Sequence, residues 1–270
     1  MNLIDAAFAR LKEQDGTALI PFLTIGDPDY ATSVKIIRKL EEAGADMIEL
    51  GVPYSDPLAD GPVIQRASER ALAGGQVTIE GVLNVAEEAR KAGVKLPFIL
   101  FTYFNPVLQL GFERFFELCM DKGISGLIIP DLPLEEDGDL REMAEEANVH
   151  LIPLVAPTSK ERVSRIAARA RGFVYCVSSL GVTGVRSEFH AGIDEFLSDV
   201  RAAAEVPIAV GFGISSREQV ERFSKQSDGV VVGSAIVRKI EEVLPKLRSE
   251  AEQEAALDEI GQFVANLKIR

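Results

Sequence analysis

Ala18-Leu19-Ile20-Pro21-Phe22-Leu23-Thr24 and Met47-Ile48-Glu49-Leu50 are two short apolar runs, and the chain between them has helical periodicity that ends at Glu41-Glu42-Ala43-Gly44. Runs this short, apolar on both faces, predict strands buried on both sides, and a helix joining two of them predicts a parallel pair. The pattern repeats outward from this unit. Further runs lie at 98–102, 126–129, 151–155, 173–177, 208–210 and 230–232, which makes eight. Several follow the same lead-in, a charged amphipathic helix closed by a glycine or asparagine turn, at 41–44, 90–93, 118–123 and 143–148.

Eight strand–helix units in 270 residues, with no Pro/Gly/Ser linker between them, predict one α/β domain over 1–270, a closed (β/α)8 TIM barrel. Two doubly wound domains are the competing arrangement. They lack their dinucleotide fingerprint, because Ile25-Gly26-Asp27-Pro28 follows the first strand where G-x-G-x-x-G would stand. Residues 3–14 read as an extra N-terminal helix that covers one barrel end.

Composition narrows the function. The chain is 47% apolar and carries 29 basic against 42 acidic side chains, a net charge of −13 with no basic cluster. That balance works against nucleic-acid and anionic-membrane partners. The two cysteines, Cys119 and Cys176, cannot form a disulfide framework, and His150 and His190 lack the spacing of a zinc motif, so no metal is expected. No apolar run reaches the ~18 residues that cross a bilayer, and residues 1–15 are charged and amphipathic rather than a signal peptide. The cytoplasm is the expected location.

The longest gap between strands runs from Leu50 to Phe98, and its surplus, 51–75, is an expected site of function. Just before it, Glu49 puts a carboxylate into a strand buried on both faces, which is costly without a partner or a task. A structural carboxylate and a catalytic one both fit that position. The loop 51–62 is shaped by three prolines and two glycines and is able to hold Asp56 or Asp60 over the barrel mouth. The plainer role for Asp60 is a turn residue capping a helix that starts near Val63. Glycine-rich stretches at 181–184, 211–215 and 233–235 end the last three strands, where barrels commonly bind phosphate; each alone is also an ordinary turn. Phe22, Phe101, Ile128, Tyr175 and Phe212, all near strand ends, are either barrel core or an apolar slot beside that phosphate.

Residues 21–28, the fourteen-residue run from Glu49 to Pro62, 181–184 and 211–215 resemble the signatures of the tryptophan synthase alpha chain family, and the resemblance spans the chain. It implies retro-aldol cleavage of indole-3-glycerol phosphate to indole and glyceraldehyde 3-phosphate with no cofactor. It further implies Glu49 as general acid/base and Asp60 as partner of the indole N–H, with Tyr175 and Thr183 positioning substrate and loop. Phosphate would lie among Gly184, Gly213, Gly233 and Ser234, and the indole against Phe22, Phe101, Ile128 and Phe212. Burial is expected to raise the pKa of Glu49, whereas Asp60, in a wetter loop, stays ionised.

The resemblance also implies a pyridoxal-phosphate beta chain as partner in an αββα complex. Asp56 and Asn105 would supply rim hydrogen bonds to it, and Pro53, Phe104 and Pro133 buried area. One departure stands out: some family members carry an arginine just before the Gly181–Gly184 lid, where this chain has Ser179-Leu180. The competing functions are another phosphate-binding barrel enzyme, a sugar-phosphate aldolase or isomerase, and a silent barrel that activates a partner. No lysine stands in the strands to serve a Schiff-base aldolase.

Overall fold

The computed structural model describes residues 1–75, 77–157, 160–178, 192–211 and 213–269. Its strands are β1 (Ala18–Thr24), β2 (Ile48–Gly51), β3 (Phe98–Phe101), β4 (Ile124–Ile128), β5 (His150–Leu151), β6 (Leu154–Val155), β7 (Val174–Val177), β8 (Ile208–Gly211) and β9 (Gly229–Val232). All pairings are parallel, in the order β5-β4-β3-β2-β1-β9-β8-β7-β6. The two ends of that order, β5 and β6, are successive pieces of one segment. β5 pairs with β4 and β6 with β7, so the ring closes through Ile152-Pro153. The eight expected runs are therefore eight barrel staves, the fifth in two pieces.

The break has a chemical cause. Pro153 has no N–H to give to the ladder. Hydrogen bonding nevertheless continues around it, with Ile152 N–H donating to the Leu127 carbonyl at 2.9 Å and Tyr175 N–H to the Pro153 carbonyl at 3.0 Å.

Alternating residues of each stave point in opposite directions. One set, including Leu19, Leu23, Ile48, Leu50, Leu100, Leu127, Val174 and Val210, packs under the surrounding helices. The other, including Ala18, Ile20, Phe22, Met47, Ile99, Phe101, Ile128, Tyr175 and Val231, fills the barrel. Among the described residues twelve α-helices cover the staves. The expected turns close the helices: Gly44 (φ 94°) and Asn148 (φ 55°) take the left-handed conformation that ends a helix and turns the chain into the next strand.

The helix Leu3–Glu13 covers the end of the barrel where the strands begin. Its Ile4, Ala7, Phe8 and Leu11 join the inner cluster, and Phe8 meets Phe173 with ring centroids 5.7 Å apart. Gly126 makes the close approach possible, since a Cβ there would lie 2.7 Å from Ile4 Cδ1. At the other end, the surplus after β2 is a loop followed by the helix Pro62–Leu72, ahead of the helix Ile79–Lys91. No helix among the described residues is long and apolar enough to cross a membrane.

Candidate active site

Glu49 lies in register with Phe22 of β1 and Ile99 of β3, on the barrel side of β2. It is 1% exposed, and among the described residues its Oε1 has no hydrogen-bond partner. Burial alone pushes its pKa from the ordinary carboxylate value up to about 8. The carboxyl is therefore mostly protonated at pH 7.

Asp60 reaches the same mouth from the loop between β2 and the helix Pro62–Leu72. That helix is capped by Gly61 without any side-chain hydrogen bond, so Asp60 does not serve as its cap. Its carboxylate instead takes the hydroxyl of Tyr103, which in turn accepts the Ala59 N–H at 3.0 Å. Tyr103 follows β3, is fully buried, and stacks on Tyr54 at 4.9 Å. The expected wet surroundings of Asp60 are not found. It is 5% exposed, and burial raises its pKa to about 6, with the Tyr103 hydroxyl pulling the other way. At pH 7 it still ionises, so two buried carboxyls at one mouth stand in opposite protonation states.

The ring residues close around them. Phe22 and Phe101 meet edge to face at 5.5 Å, and Ile128 and Tyr175 belong to the same inner cluster. Two glycines make room: a Cβ on Gly51 would lie 2.4 Å from the Phe22 ring, and one on Gly211 would lie 2.2 Å from the Tyr175 hydroxyl. Burial, and secondarily the Glu49 charge, holds that hydroxyl's pKa well above the usual phenol range, so it remains an O–H.

Gly233 sits beside Phe22 and is the N-cap of the helix Ser234–Leu247, so the cap residue itself offers no side chain to that N-terminus. Free N–H groups at such an end are suited to an anion. Ser234 is buried and Gly213 half-buried, with φ 92°. Thr183, Gly184, Phe212 and the Ser179-Leu180 pair, with the whole of the expected Gly181–Gly184 lid, lie outside the described residues.

Of the expected partner-facing residues, Asp56, Asn105 and Pro133 are exposed. Phe104 is half-buried against Phe112, and its N–H donates to Asp131 at 3.0 Å. Pro53 is a correction. It is buried within the chain, so it shapes the loop and offers no free area. The apolar surface beside this loop is instead Leu58, 74% exposed, and Leu108, 53% exposed, neither of which the sequence pattern singles out.

Sequence reasoning also missed an ion network that ties three mouth segments together. Arg70, on the helix after the Asp60 loop, donates to Asp27 beyond β1 at 2.8 and 3.1 Å and to Glu241 on the helix Ser234–Leu247 at 2.7 Å. Arg66, and then Arg70, hold the Glu241 pKa down to about 2. An i, i+4 pair of arginines on that helix, Arg66 and Arg70, was the visible signal.

A family model described as "Tryptophan synthase alpha chain" matches residues 8–267. The chain belongs to the tryptophan synthase alpha chain family. It is 54% identical over 248 residues to the tryptophan synthase alpha chain of Geobacillus kaustophilus (strain HTA426), covering 92% of each. To that of Bacillus pumilus (strain SAFR-032) it is 53% identical over 251 residues, covering 93% of this chain and 94% of the relative. Among solved structures, the tryptophan synthase alpha chain from Legionella pneumophila subsp. pneumophila superposes with a TM-score of 0.87 at 33% identity, over 99% of this chain and 96% of that one. A chain of Mycobacterium tuberculosis tryptophan synthase gives 0.84 at 38% identity, over 97% and 98%. Membership in the tryptophan synthase alpha chain family makes the protein a carbon–carbon lyase of tryptophan biosynthesis, which cleaves indole-3-glycerol phosphate, and implies a beta-chain partner.

Proposed function

We propose that Glu49 and Asp60 carry out this cleavage, by a retro-aldol route that needs no cofactor. The observation that carries the reading is the pair of buried carboxyls at one mouth, Glu49 with an oxygen unpaired and Asp60 held by the Tyr103 hydroxyl, surroundings that raise the first pKa to about 8 and the second only to about 6. Protonated Glu49 delivers its proton to C3 of the indole, while ionised Asp60 accepts the ring N–H and stabilises the positive charge that develops there. The bond from C3 to the side chain then breaks, its electrons returning to the ring. Glu49, now a carboxylate, takes the proton of the adjacent hydroxyl, and indole and glyceraldehyde 3-phosphate leave.

The indole packs against Phe22, Phe101, Ile128 and Phe212, with Tyr175 and Thr183 positioning the substrate. Its phosphate is taken by Gly184, Gly213, Gly233 and Ser234 at the uncapped helix end. The whole chain acts as one domain in the cytoplasm, and the mouth docks on a pyridoxal-phosphate beta chain in an αββα complex. Exposed Leu58 and Leu108 beside Asp56, Phe104, Asn105 and Pro133 support that surface.

Spectrophotometric assay of indole release tests the assignment. Glu49→Gln is expected to retain substrate binding and sedimentation with a cognate beta chain while losing on the order of 10³-fold in turnover. Wild-type turnover in that variant would reject Glu49 as the acid.

A further inference from the structure

Two buried side-chain oxygens among the described residues have no hydrogen-bond partner, Glu49 Oε1 and Thr24 Oγ1. The first belongs to the acid; nothing above uses the second. Thr24 is the last residue of β1 and is 6% exposed. Strand alternation places it on the face that carries Ala18, Ile20 and Phe22 into the barrel, one step beyond Phe22 towards the mouth. A buried hydroxyl that bonds to nothing destabilises the fold, and valine would fill a strand end of this shape without that cost. The hydroxyl is accounted for if a bound molecule supplies its partner.

The neighbours of β1 say which part of such a molecule it meets. On one side Thr24 pairs with Gly51, two residues past Glu49, where the Phe22 ring lies over the space that a side chain would take. On the other side Pro21 pairs with Val232, so the following Gly233 and Ser234, the uncapped helix start, rise beside Phe22 and Thr24. Thr24 therefore stands between the acid and the anion-binding end.

We propose that Thr24 Oγ1 hydrogen-bonds the hydroxyl on the middle carbon of the substrate's glycerol chain, the one that takes no part in bond cleavage. This rests on the reading above, in which the reacting carbon lies at Glu49 and the phosphate at Gly233 and Ser234. The three-carbon chain then passes over the end of β1. Thr24 contributes affinity and selects a hydroxylated phosphate ester over a plain one.

The test compares glycerol 3-phosphate with 3-hydroxypropyl phosphate, which lacks the middle hydroxyl, as competitive inhibitors of indole-3-glycerol phosphate cleavage. The wild-type chain is expected to prefer glycerol 3-phosphate by about 5- to 10-fold, the worth of one hydrogen bond. Thr24→Val is expected to erase the preference, raise KM by a similar factor and leave Tm unchanged or higher; Thr24→Ser should restore the preference. A preference that survives in Thr24→Val, or is missing in the wild type, overturns the proposal. So does a loss of stability in Thr24→Val, which would assign the hydroxyl to the fold. A wild-type chain that cleaves no indole-3-glycerol phosphate would overturn the assigned reaction and this contact with it, whereas the other outcomes leave the reaction standing.

Discussion

Asp46 and Glu49 are two buried acids three residues apart in the sequence, at opposite ends of the same barrel. Asp46, at the closed end, accepts the Leu19 N–H at 2.8 Å and is paired with Lys268, with Arg10 at 3.7 Å. Nearby, Asn2 uses its whole amide, donating to the carbonyls of Ser125 at 2.8 Å and Asn148 at 2.7 Å and accepting the Ile4 N–H at 2.8 Å. At the open end Glu49 and Thr24 each keep an oxygen unpaired. Stability is concentrated where polar groups are matched, and reactivity where they are left bare, the usual division between the two faces of such barrels.

The largest effect is expected at the closed end. Phe8→Ala removes a ring from the plug and should cost about 3–5 kcal/mol in urea unfolding while leaving KM unchanged in the chain that remains folded. A cost below about 1 kcal/mol, or a raised KM, would break the division.

A smaller effect of opposite sign is expected at the mouth. Folding raises the Glu49 pKa to about 8, so the folded chain holds this proton more tightly than the unfolded one does. Its contribution to stability is fully present below the ordinary value near 4.5 and is lost as pH rises towards 8. Glu49→Gln escapes that loss. Its stability relative to wild type should climb between pH 4.5 and 7 by on the order of 3 kcal/mol. Asp46→Asn should instead lower stability, because it strips a partner from Lys268. A pH-independent difference for Glu49→Gln would mean that the carboxyl finds a partner in solution.

The smallest effect sharpens the role of Tyr103. If ionised Asp60 and protonated Glu49 are both needed, kcat/KM follows a bell with limbs near 6 and 8. Tyr103→Phe removes the hydroxyl that favours ionised Asp60 and should move the acidic limb upward by about one pH unit. The alkaline limb should stay where it is. An unmoved acidic limb would remove Tyr103 from the site.

Periodicity made most of the barrel legible before any coordinates. The runs at 18–24 and 98–102 are apolar on both faces because both faces of these staves are covered, one by helices and the other by the barrel interior. Glu49 was visible for the same reason, as a charge where the pattern allows none. The two-piece fifth stave was less visible, since Pro153 interrupts a ladder whose register depends on β4 and β7.

Asp60 shows where local pattern stops being informative. Its neighbours, prolines, glycines and a serine, read as an exposed turn, yet the loop folds inward under Tyr103, which the chain supplies 43 residues later. Pro53 is buried and Leu58 exposed by that same folding. Thr24 ends its strand as an ordinary β-branched residue, and nothing in its own segment shows that its buried hydroxyl is left without a partner. Element types and their order followed from short-range hydrophobic spacing, which each segment carries within itself. Which acids are paired and which are bare followed from contacts between segments far apart in the chain, because desolvation and hydrogen bonding depend on whatever the closed barrel brings to each oxygen.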